Sequence, residues 1–320
     1  MMSVHRYSLT IFLACGFFHT AAAATEDGPR EWLQRMSRAV QTTDYEGTVV
    51  RVSDGKAEAL KVAHTVADGV VREKLIAQEG NGLEIVRVGN EVRCILPERK
   101  SVLVEEWNDQ STLFSTLPSR ELRVGSEYDV RLVSEARVAG RKAVKLSIKP
   151  HDEYRYEHVI WLDEATEFPL QTELVAANGV PVDQVKFVDI RFGREMDEQD
   201  LSPSYSTDNF TWYTQPRRSV TPVAQSGWGN EDLPPGFQPL SVQEERVPGT
   251  EQHVTHILYS DGLANVSVFI TDDAGQAVAE RSTTGASNTF STLKDGVRIT
   301  AVGEVPPVTV ERVARAMRRD

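Results

Sequence analysis

The order of apolar and polar residues along the chain predicts mostly β-structure. From residue 45 to residue 192, short stretches of alternating apolar and polar residues are separated by turn pairs such as Asp54-Gly55 and Asn178-Gly179. Such pairs supply the positive φ angles that tight hairpin turns need. Strands joined by turns this short pair antiparallel, because a parallel pair needs a long crossover connection. The pattern therefore predicts an antiparallel meander.

Two segments follow helical spacing instead. One begins with Pro29, a residue suited to the first turn of a helix, and the other begins near Thr309. In both segments apolar residues recur every three or four positions, which places them on one face of a helix. The predicted apolar faces are Trp32, Leu33, Met36 and Val40 in the first helix, and Val310, Val313, Ala314 and Met317 in the second.

Two of the predicted strands are apolar on both faces. One carries Phe187 and Ile190 on opposite faces, and the other carries Ile160 and Trp161 on opposite faces. A strand of this kind must be covered on both sides or must line a cavity. A sheet wrapped round its own helices is the favoured interpretation, and a ligand cavity is the alternative.

The alternating pattern breaks between residues 197 and 235, which are rich in Ser, Thr, Pro, Gln and Asn. That composition is typical of an interdomain linker with its flanks, part of it mobile. At 320 residues the chain is long enough for two domains. The expected organisation is a signal peptide at 1–24, an N-terminal domain at 25–202, a linker at 203–227 and a C-terminal domain at 228–320.

The first 24 residues have the features of an export signal. Arg6 is the positive residue, the apolar stretch 7–18 is too short to span a bilayer, and 21–24 offers four alanines for cleavage. Lipidation of Cys15 is the less favoured alternative, since its surroundings resemble a lipobox only faintly. Cleavage would leave Cys94 as the one mature cysteine, which excludes an intramolecular disulfide. The sequence predicts a soluble protein exported to a bacterial periplasm.

Charge and motif content favour a binding function over catalysis. The net charge of −12 argues against a broad surface for nucleic acid or anionic membrane, because such surfaces need clustered Lys and Arg. The sequence contains no nucleophile elbow, zinc-protease helix, phosphate-binding loop or dinucleotide fingerprint. His253 and His256 fall on opposite faces of a predicted strand, which is unsuitable for a shared metal. We therefore predict no catalytic residue, no metal site and no cofactor.

Recognition motifs are easier to find. Trp161-Leu-Asp-Glu-Ala-Thr-Glu-Phe-Pro-Leu170 predicts a strand, a polar corner and a second strand, with Pro169 fixing the corner. This segment is similar to one in the LolA/LolB lipoprotein-binding fold. The resemblance implies an α+β protein whose N-terminal domain is a curved, incompletely closed antiparallel β-sheet with helices. The hollow of such a sheet accepts acyl chains, which would account for strands that are apolar on both faces.

The C-terminal part carries three further motifs in order. They are Trp228-Gly-Asn-Glu-Asp-Leu-Pro-Pro-Gly-Phe237, the turn and strand 259–270 with its Asp261-Gly262 pair, and Ile299-Thr-Ala-Val-Gly-Glu-Val-Pro306 before the last helix. Together they resemble the C-terminal domain of the RseB/MucB family, periplasmic negative regulators of envelope-stress sigma factors. With the N-terminal motif, the resemblance covers nearly all of the predicted mature chain and implies a smaller C-terminal α+β domain.

Members of that family bind the periplasmic segment of a membrane anti-sigma factor and shield it from site-1 proteolysis. Lipids, lipoproteins or lipopolysaccharide weaken that binding. For this chain the resemblance implies a lipid-sensing N-terminal domain and a C-terminal domain that holds the anti-sigma factor. The expected partner-binding residues, taken from the exposed members of two segments, are Trp228, Phe237, Tyr259, Asp261 and Gly262. The expected lipid-binding residues are Trp161, Phe187, Ile190 and Phe192.

Two rival functions stay open at this point. One is a periplasmic carrier of lipoproteins or lipids that has no signalling partner, and the less favoured one is an unrecognised hydrolase. The sequence leaves open whether the chain forms homo-oligomers and which lipid it senses. It also predicts that a change in the Asp261-Gly262 turn removes partner binding while the fold is kept.

Overall fold

A computed structural model describes residues 28–106, 122–214, 219–221, 227–246, 253–272 and 279–319. The predicted signal peptide and its cleavage region lie outside the described residues. The helices are α1 (Pro29–Thr42), α2 (Glu198–Leu201) and α3 (Pro307–Ala316), with one short 3₁₀ turn at Pro97–Arg99. Among the helices of the described segments, none has both the length and the apolar character needed to cross a bilayer.

The first twelve strands form one sheet. They are β1 (Tyr45–Ser53), β2 (Lys56–Ala67), β3 (Val70–Ala77), β4 (Glu84–Val88), β5 (Glu91–Leu96), β6 (Ser101–Glu106), β7 (Tyr128–Val138), β8 (Arg141–Pro150), β9 (Glu157–Asp163), β10 (Pro169–Val175), β11 (Pro181–Phe192) and β12 (Thr211–Thr214). Their order is β12-β6-β5-β4-β3-β2-β1-β11-β10-β9-β8-β7, with β12 and β7 at the two edges. The meander predicted from the turn pairs is confirmed.

This sheet is strongly curved. Leu75 on β3 and Ala143 on β8 belong to the same buried cluster, although five strands lie between β3 and β8 in the sheet order. At about 4.8 Å per strand, a flat sheet would hold them roughly 29 Å apart. The sheet therefore wraps round a common interior while its edge strands stay unpaired with each other.

Helix α1 fills part of that interior. Leu33 and Met36 are buried against β8 and β9, and Ala39 packs in the neighbouring cluster that contains Phe187. Trp32 and Val40 are partly buried on the same side, so the predicted apolar face is confirmed. The helix begins at Pro29, and the carboxylate of Glu31 accepts the N–H of Gly28 at 3.2 Å.

The remaining nine strands build a second, smaller sheet of seven strands and a separate pair. They are β13 (Ser219–Thr221), β14 (Trp228–Asn230), β15 (Gln238–Arg246), β16 (His253–Ser260), β17 (Asn265–Thr271), β18 (Glu280–Thr284), β19 (Ser287–Lys294), β20 (Val297–Gly303) and β21 (Met317–Arg319). Seven of them pair in the order β13-β15-β16-β17-β20-β19-β18, while β14 pairs with β21. Val310, Val313 and Ala314 of α3 are buried in the core of this domain, as the helical spacing predicts. Met317, predicted for the same helical face, is buried there too but lies in β21, because the helix ends at Ala316.

We call the first sheet with α1 and α2 the N-terminal domain, and the second sheet with α3 the C-terminal domain. The predicted class, a curved open antiparallel sheet with helices followed by a smaller α+β domain, is confirmed. The predicted linker 203–227 contains strand β12, which adds to the first sheet, and strand β13, which adds to the second. Among the described strand pairs only β12 with β6 is parallel.

Candidate functional site

The four predicted lipid-binding residues all contact one buried cluster of the N-terminal domain. However, Trp161 leaves the sheet on the face opposite to Phe187, since Trp161 pairs with Gln171 and Gln171 pairs with Lys186. Phe187 and Ile190 are buried, while Trp161 and Phe192 are partly buried in the same cluster. The ring of Phe168 packs against Phe187 and Phe192, with centroid distances of 5.9 and 5.4 Å. The sequence left core and cavity as alternatives for these residues, and this structure packs them as core. Lipid binding at these residues stays a prediction.

Two basic side chains of β8 cover the partly exposed members of this cluster. The guanidinium of Arg141 lies 4.8 Å from the centre of the Phe192 ring, and the ammonium of Lys145 lies 4.9 Å from the Trp161 ring. Arg141 also donates to Asp163 at 2.6 Å. Burial acts to raise the pKa of Asp163, but hydrogen bonds from Arg141 and the following turn lower it overall. Both aromatic rings therefore have a cation within contact distance.

The five predicted partner-binding residues have unequal access to solvent. Tyr259 and Phe237 are buried in the C-terminal core, whereas Trp228 is partly buried with the guanidinium of Arg319 over its ring. The side chain of Asp261 is 1% exposed. We expected an exposed Asp261-Gly262 turn, and the carboxylate instead lies buried against the N-terminal domain. Partner binding at these residues stays a prediction.

Asp261 is held by both domains. Its Oδ1 accepts the backbone N–H groups of Leu263 and Ala264 at 2.9 and 2.7 Å, which fixes its own turn. Its Oδ2 accepts Nε of Arg155 at 2.5 Å and the hydroxyl of Tyr128 at 2.7 Å, both from the N-terminal domain. Burial, followed by the negative charge of Asp261, raises the pKa of Tyr128, so this hydroxyl keeps its proton and donates.

Arg155 is the centre of this contact. It lies in the loop between β8 and β9, and its side chain is 0% exposed. Besides Asp261, it donates to the carboxylate of Asp152 and to the main-chain oxygen of Pro235. Burial alone would lower the pKa of Arg155, but the hydrogen bond and charge of Asp261 hold it above the ordinary value. The residue is therefore a buried cation with acceptors in both domains.

The two neighbours of Arg155 also reach the C-terminal domain. The carbonyl of Tyr154 accepts the hydroxyl of Thr309 at 2.7 Å, and its ring lies 4.7 Å from the guanidinium of Arg312. The hydroxyl of Tyr156 accepts Nδ2 of Asn288 at 3.0 Å. Three consecutive residues, 154–156, thus bind three separate places on the second domain.

A cavity of about 460 Å³ lies beside this contact, between the two domains. His158 and Leu174 line it on the N-terminal side, and Phe269, Val302 and Glu304 on the C-terminal side. Burial lowers the pKa of His158 to about 4, although the charge of Asp261 acts in the opposite direction. The imidazole is therefore neutral at neutral pH and adds a polar but uncharged group to the wall.

Sequence reasoning missed the interdomain residues. The segment Tyr154-Arg-Tyr-Glu-His158 belongs to none of the motifs identified from the sequence. An arginine between two tyrosines in a polar turn was the available signal, since such residues anchor buried polar contacts. No group of three His, Cys, Asp or Glu side chains suited to a metal occurs within the described residues. The geometry offers buried contacts between the two domains and a cavity beside them.

These features define a two-domain binding protein in which a curved open sheet is fixed to a smaller sheet domain. Models of the MucB/RseB N-terminal and C-terminal domains match residues 28–205 and 222–318. The sigma factor AlgU regulatory protein MucB of Pseudomonas aeruginosa is 32% identical over 97% of this chain and 96% of its own length. The sigma-E factor regulatory protein RseB of Escherichia coli is 26% identical over 88% of each chain. The chain belongs to the MucB/RseB family.

Solved structures agree with this assignment. The crystal structure of MucB in complex with MucA(peri) matches with a TM-score of 0.72 and 31% identity over 92% of this chain and 99% of that one. The complex of MucA and MucB from Pseudomonas aeruginosa gives the same TM-score and identity over 91% of this chain and 99% of that one. A crystal structure of MucB alone gives a TM-score of 0.64 at 29% identity, over 91% and 98%. The two-domain architecture is therefore that of MucB.

Proposed function

We propose that this chain binds the periplasmic segment of a membrane anti-sigma factor and so restrains an envelope-stress sigma factor. The observation that carries the proposal is full-length similarity to MucB, a protein solved in complex with MucA(peri), at 31% identity over 92% of this chain. Both domains of the relative are present here, in the same order. The chain therefore has the whole architecture that binds MucA in the relative.

In this proposal the bound segment is protected from site-1 protease until a lipid signal arrives. Lipid, lipoprotein or lipopolysaccharide bound at the N-terminal domain lowers the affinity of the protein for its partner. Such coupling requires that the two ligands favour different arrangements of the molecule. The direct contacts of 154–156 with the C-terminal domain support it, because they give one domain a physical means of influencing the other.

For the lipid we propose the buried cluster that Trp161, Phe187, Ile190 and Phe192 share. Since these side chains pack against that cluster, an acyl chain has to displace part of the packing to enter. Arg141 and Lys145 add positive charge where an anionic head group would lie. We further propose that the protein acts in the periplasm after removal of residues 1–24.

The test uses the purified mature chain and the periplasmic segment of a MucA-like anti-sigma factor from the same organism. We expect a direct complex in calorimetry and slower cleavage of the segment by site-1 protease, with the protection reversed by added lipopolysaccharide. A chain that neither binds the segment nor slows its cleavage contradicts the proposal. Recovery of lipoproteins alone from a periplasmic pull-down would favour the carrier function instead.

A matched pair of aromatic substitutions tests the C-terminal surface. Trp228→Ala removes a partly buried ring from the C-terminal domain and is expected to weaken the complex at least tenfold. Trp212→Ala removes a ring that is 47% exposed on β12 of the N-terminal domain and should leave the affinity unchanged. Equal affinities for the two variants would exclude Trp228 from the partner surface.

A further inference from the structure

We propose that Arg155 and Asp261 form an interdomain latch, a buried ion pair whose charges have to match: the two domains dock when both charges are present or both are absent, and separate when one is left alone. Loss of either charge alone opens the molecule, and loss of both charges closes it again. The part of this inference that concerns partner affinity rests on the function proposed above. The part that concerns the arrangement of the domains is independent of it.

The first observation is that both charges of the latch are buried only while the two domains are docked. The guanidinium of Arg155 is 0% exposed and the carboxylate of Asp261 is 1% exposed, and they belong to different domains. The guanidinium lies 5.4 Å from the ring of Tyr128 and 4.9 Å from the ring of Phe237, so each domain supplies one aromatic neighbour. Separation of the domains would return both charges to water.

The second observation is that the Asp261 turn is pressed against the N-terminal domain. Gly262 has a φ of +97°, and a Cβ built there would lie 2.6 Å from the carbonyl oxygen of Arg123. A glycine is thus required both by the backbone angle and by the closeness of the other domain. The turn that carries the carboxylate has no room for a side chain at Gly262 while the domains stay docked.

The free energies expected for the single and double substitutions distinguish this latch from an ordinary stabilising contact. A buried ion pair contributes little net stability, because desolvation offsets the attraction between the charges. Removal of one partner is costly in the docked state only, where Asp261 would keep neutral donors alone, or Arg155 would keep Asp152 as its one carboxylate partner in the latch. We therefore expect one substitution to shift the ratio of open to docked molecules by on the order of a hundredfold. Removal of both charges leaves no fully buried charge, because the Asp152 carboxylate that also pairs with Arg155 is 22% exposed and reaches water, and docking is restored.

The docked arrangement is also the one that we connect with partner binding. The chain aligns with the two MucB structures that contain MucA at a TM-score of 0.72, and with the structure of MucB alone at a TM-score of 0.64. From this difference between the structures we infer that the docked arrangement is the one that binds the partner.

The experiment compares four variants of the full mature chain by small-angle X-ray scattering at neutral pH. The single variants are Arg155→Met and Asp261→Asn, and the third variant combines them. Asparagine keeps a side-chain oxygen that can accept the N–H groups of Leu263 and Ala264, so the turn is retained. The control is Arg281→Met, which removes one partner of an exposed ion pair inside the C-terminal domain.

We expect both single variants to show a larger radius of gyration than the wild type. The double variant and the Arg281→Met control should scatter like the wild type. Single variants with the wild-type radius would overturn the latch. So would a double variant as extended as the single ones, since the pair itself would then hold the domains. Far-UV circular dichroism verifies that each variant is folded, and recovery in the double variant shows that the single ones are not merely misfolded.

Calorimetry with the anti-sigma-factor segment adds the functional measurement. Affinity should fall at least tenfold in each single variant and recover in the double one. Open single variants that bind with wild-type affinity would overturn the link between the docked arrangement and partner binding. A wild type that fails to bind contradicts the proposed function, while the scattering result still decides whether the latch exists.

Discussion

A buried histidine makes the stability of the N-terminal domain depend on pH. His64 lies on β2 with its ring stacked on Tyr45 at 4.8 Å, and its Nδ1 is 3.1 Å from the carbonyl oxygen of Thr43. Burial lowers the pKa of His64 to about 4, although the Thr43 carbonyl and the charge of Asp44 favour the protonated form. The folded protein therefore holds this imidazole neutral at pH values where an exposed histidine is charged.

The sign and size of the effect follow from proton binding. Between pH 6.5 and about 4 the unfolded chain binds a proton at His64 that the folded chain does not bind. The free energy of unfolding therefore falls as the pH is lowered through this window. At about 1.4 kcal/mol per pH unit, the full loss at this one site amounts to about 3 kcal/mol.

Urea unfolding at pH 7 and pH 4.5 measures the effect. We compare the wild type with His64→Gln, which keeps a polar side chain but cannot titrate, and with His253→Gln at an exposed position of β16. The wild type and His253→Gln should lose about 2 kcal/mol more than His64→Gln between the two pH values. Other titrating groups are common to all three proteins and cancel. An equal loss in all three would refute a neutral buried His64.

Two further predictions use neighbouring or equivalent positions as controls. Phe187→Ala should lower the free energy of unfolding by about 3–5 kcal/mol in urea titrations, because Phe187 is buried. Val188→Ala, on the exposed face of the same strand, should lower it by less than about 1 kcal/mol. Similar losses in the two variants would contradict the packed interior. Gly262→Ala should separate the domains and so increase the radius of gyration in scattering, because its Cβ would collide with Arg123. Gly55→Ala also has a positive φ but has free space around its Cβ, so it should only lower the free energy of unfolding. An unchanged radius of gyration for Gly262→Ala would contradict the close approach.

The elements that could be predicted from sequence are those with a period of their own. The apolar faces of α1 and α3 repeat every three or four residues, and the turn pairs mark the ends of the hairpins. Strand β12 shows the limit of such patterns. Its four residues, Thr211–Thr214, are all exposed and become a strand only by pairing in parallel with β6. The pairing of this segment with the edge strand β6 depends on the folded sheet, and the four residues do not encode it by themselves.

The choice between core and cavity could not be made from sequence for a similar reason. Phe187 and Trp161 have the same apolar character whether a helix, a lipid or other side chains face them. The choice depends on how far the sheet curves and on how α1 enters the hollow, and both are set by contacts between distant strands. Periodicity shows which side of a strand is apolar but not what lies opposite.

Asp261 shows how a sequence motif can identify a turn without showing which residues the turn contacts. The motif identified a turn, and a carboxylate in a turn was expected at a surface. Its buried cation, Arg155, lies 106 residues earlier in the chain, a pairing that no local pattern can show. Because Asp261 both shapes its own turn and holds the N-terminal domain, a loss of partner binding in Asp261→Asn would not by itself place the partner on Asp261. The combination with Arg155→Met separates the two causes, since restored docking with weak binding would assign the carboxylate to the partner, and restored binding would assign it to the latch.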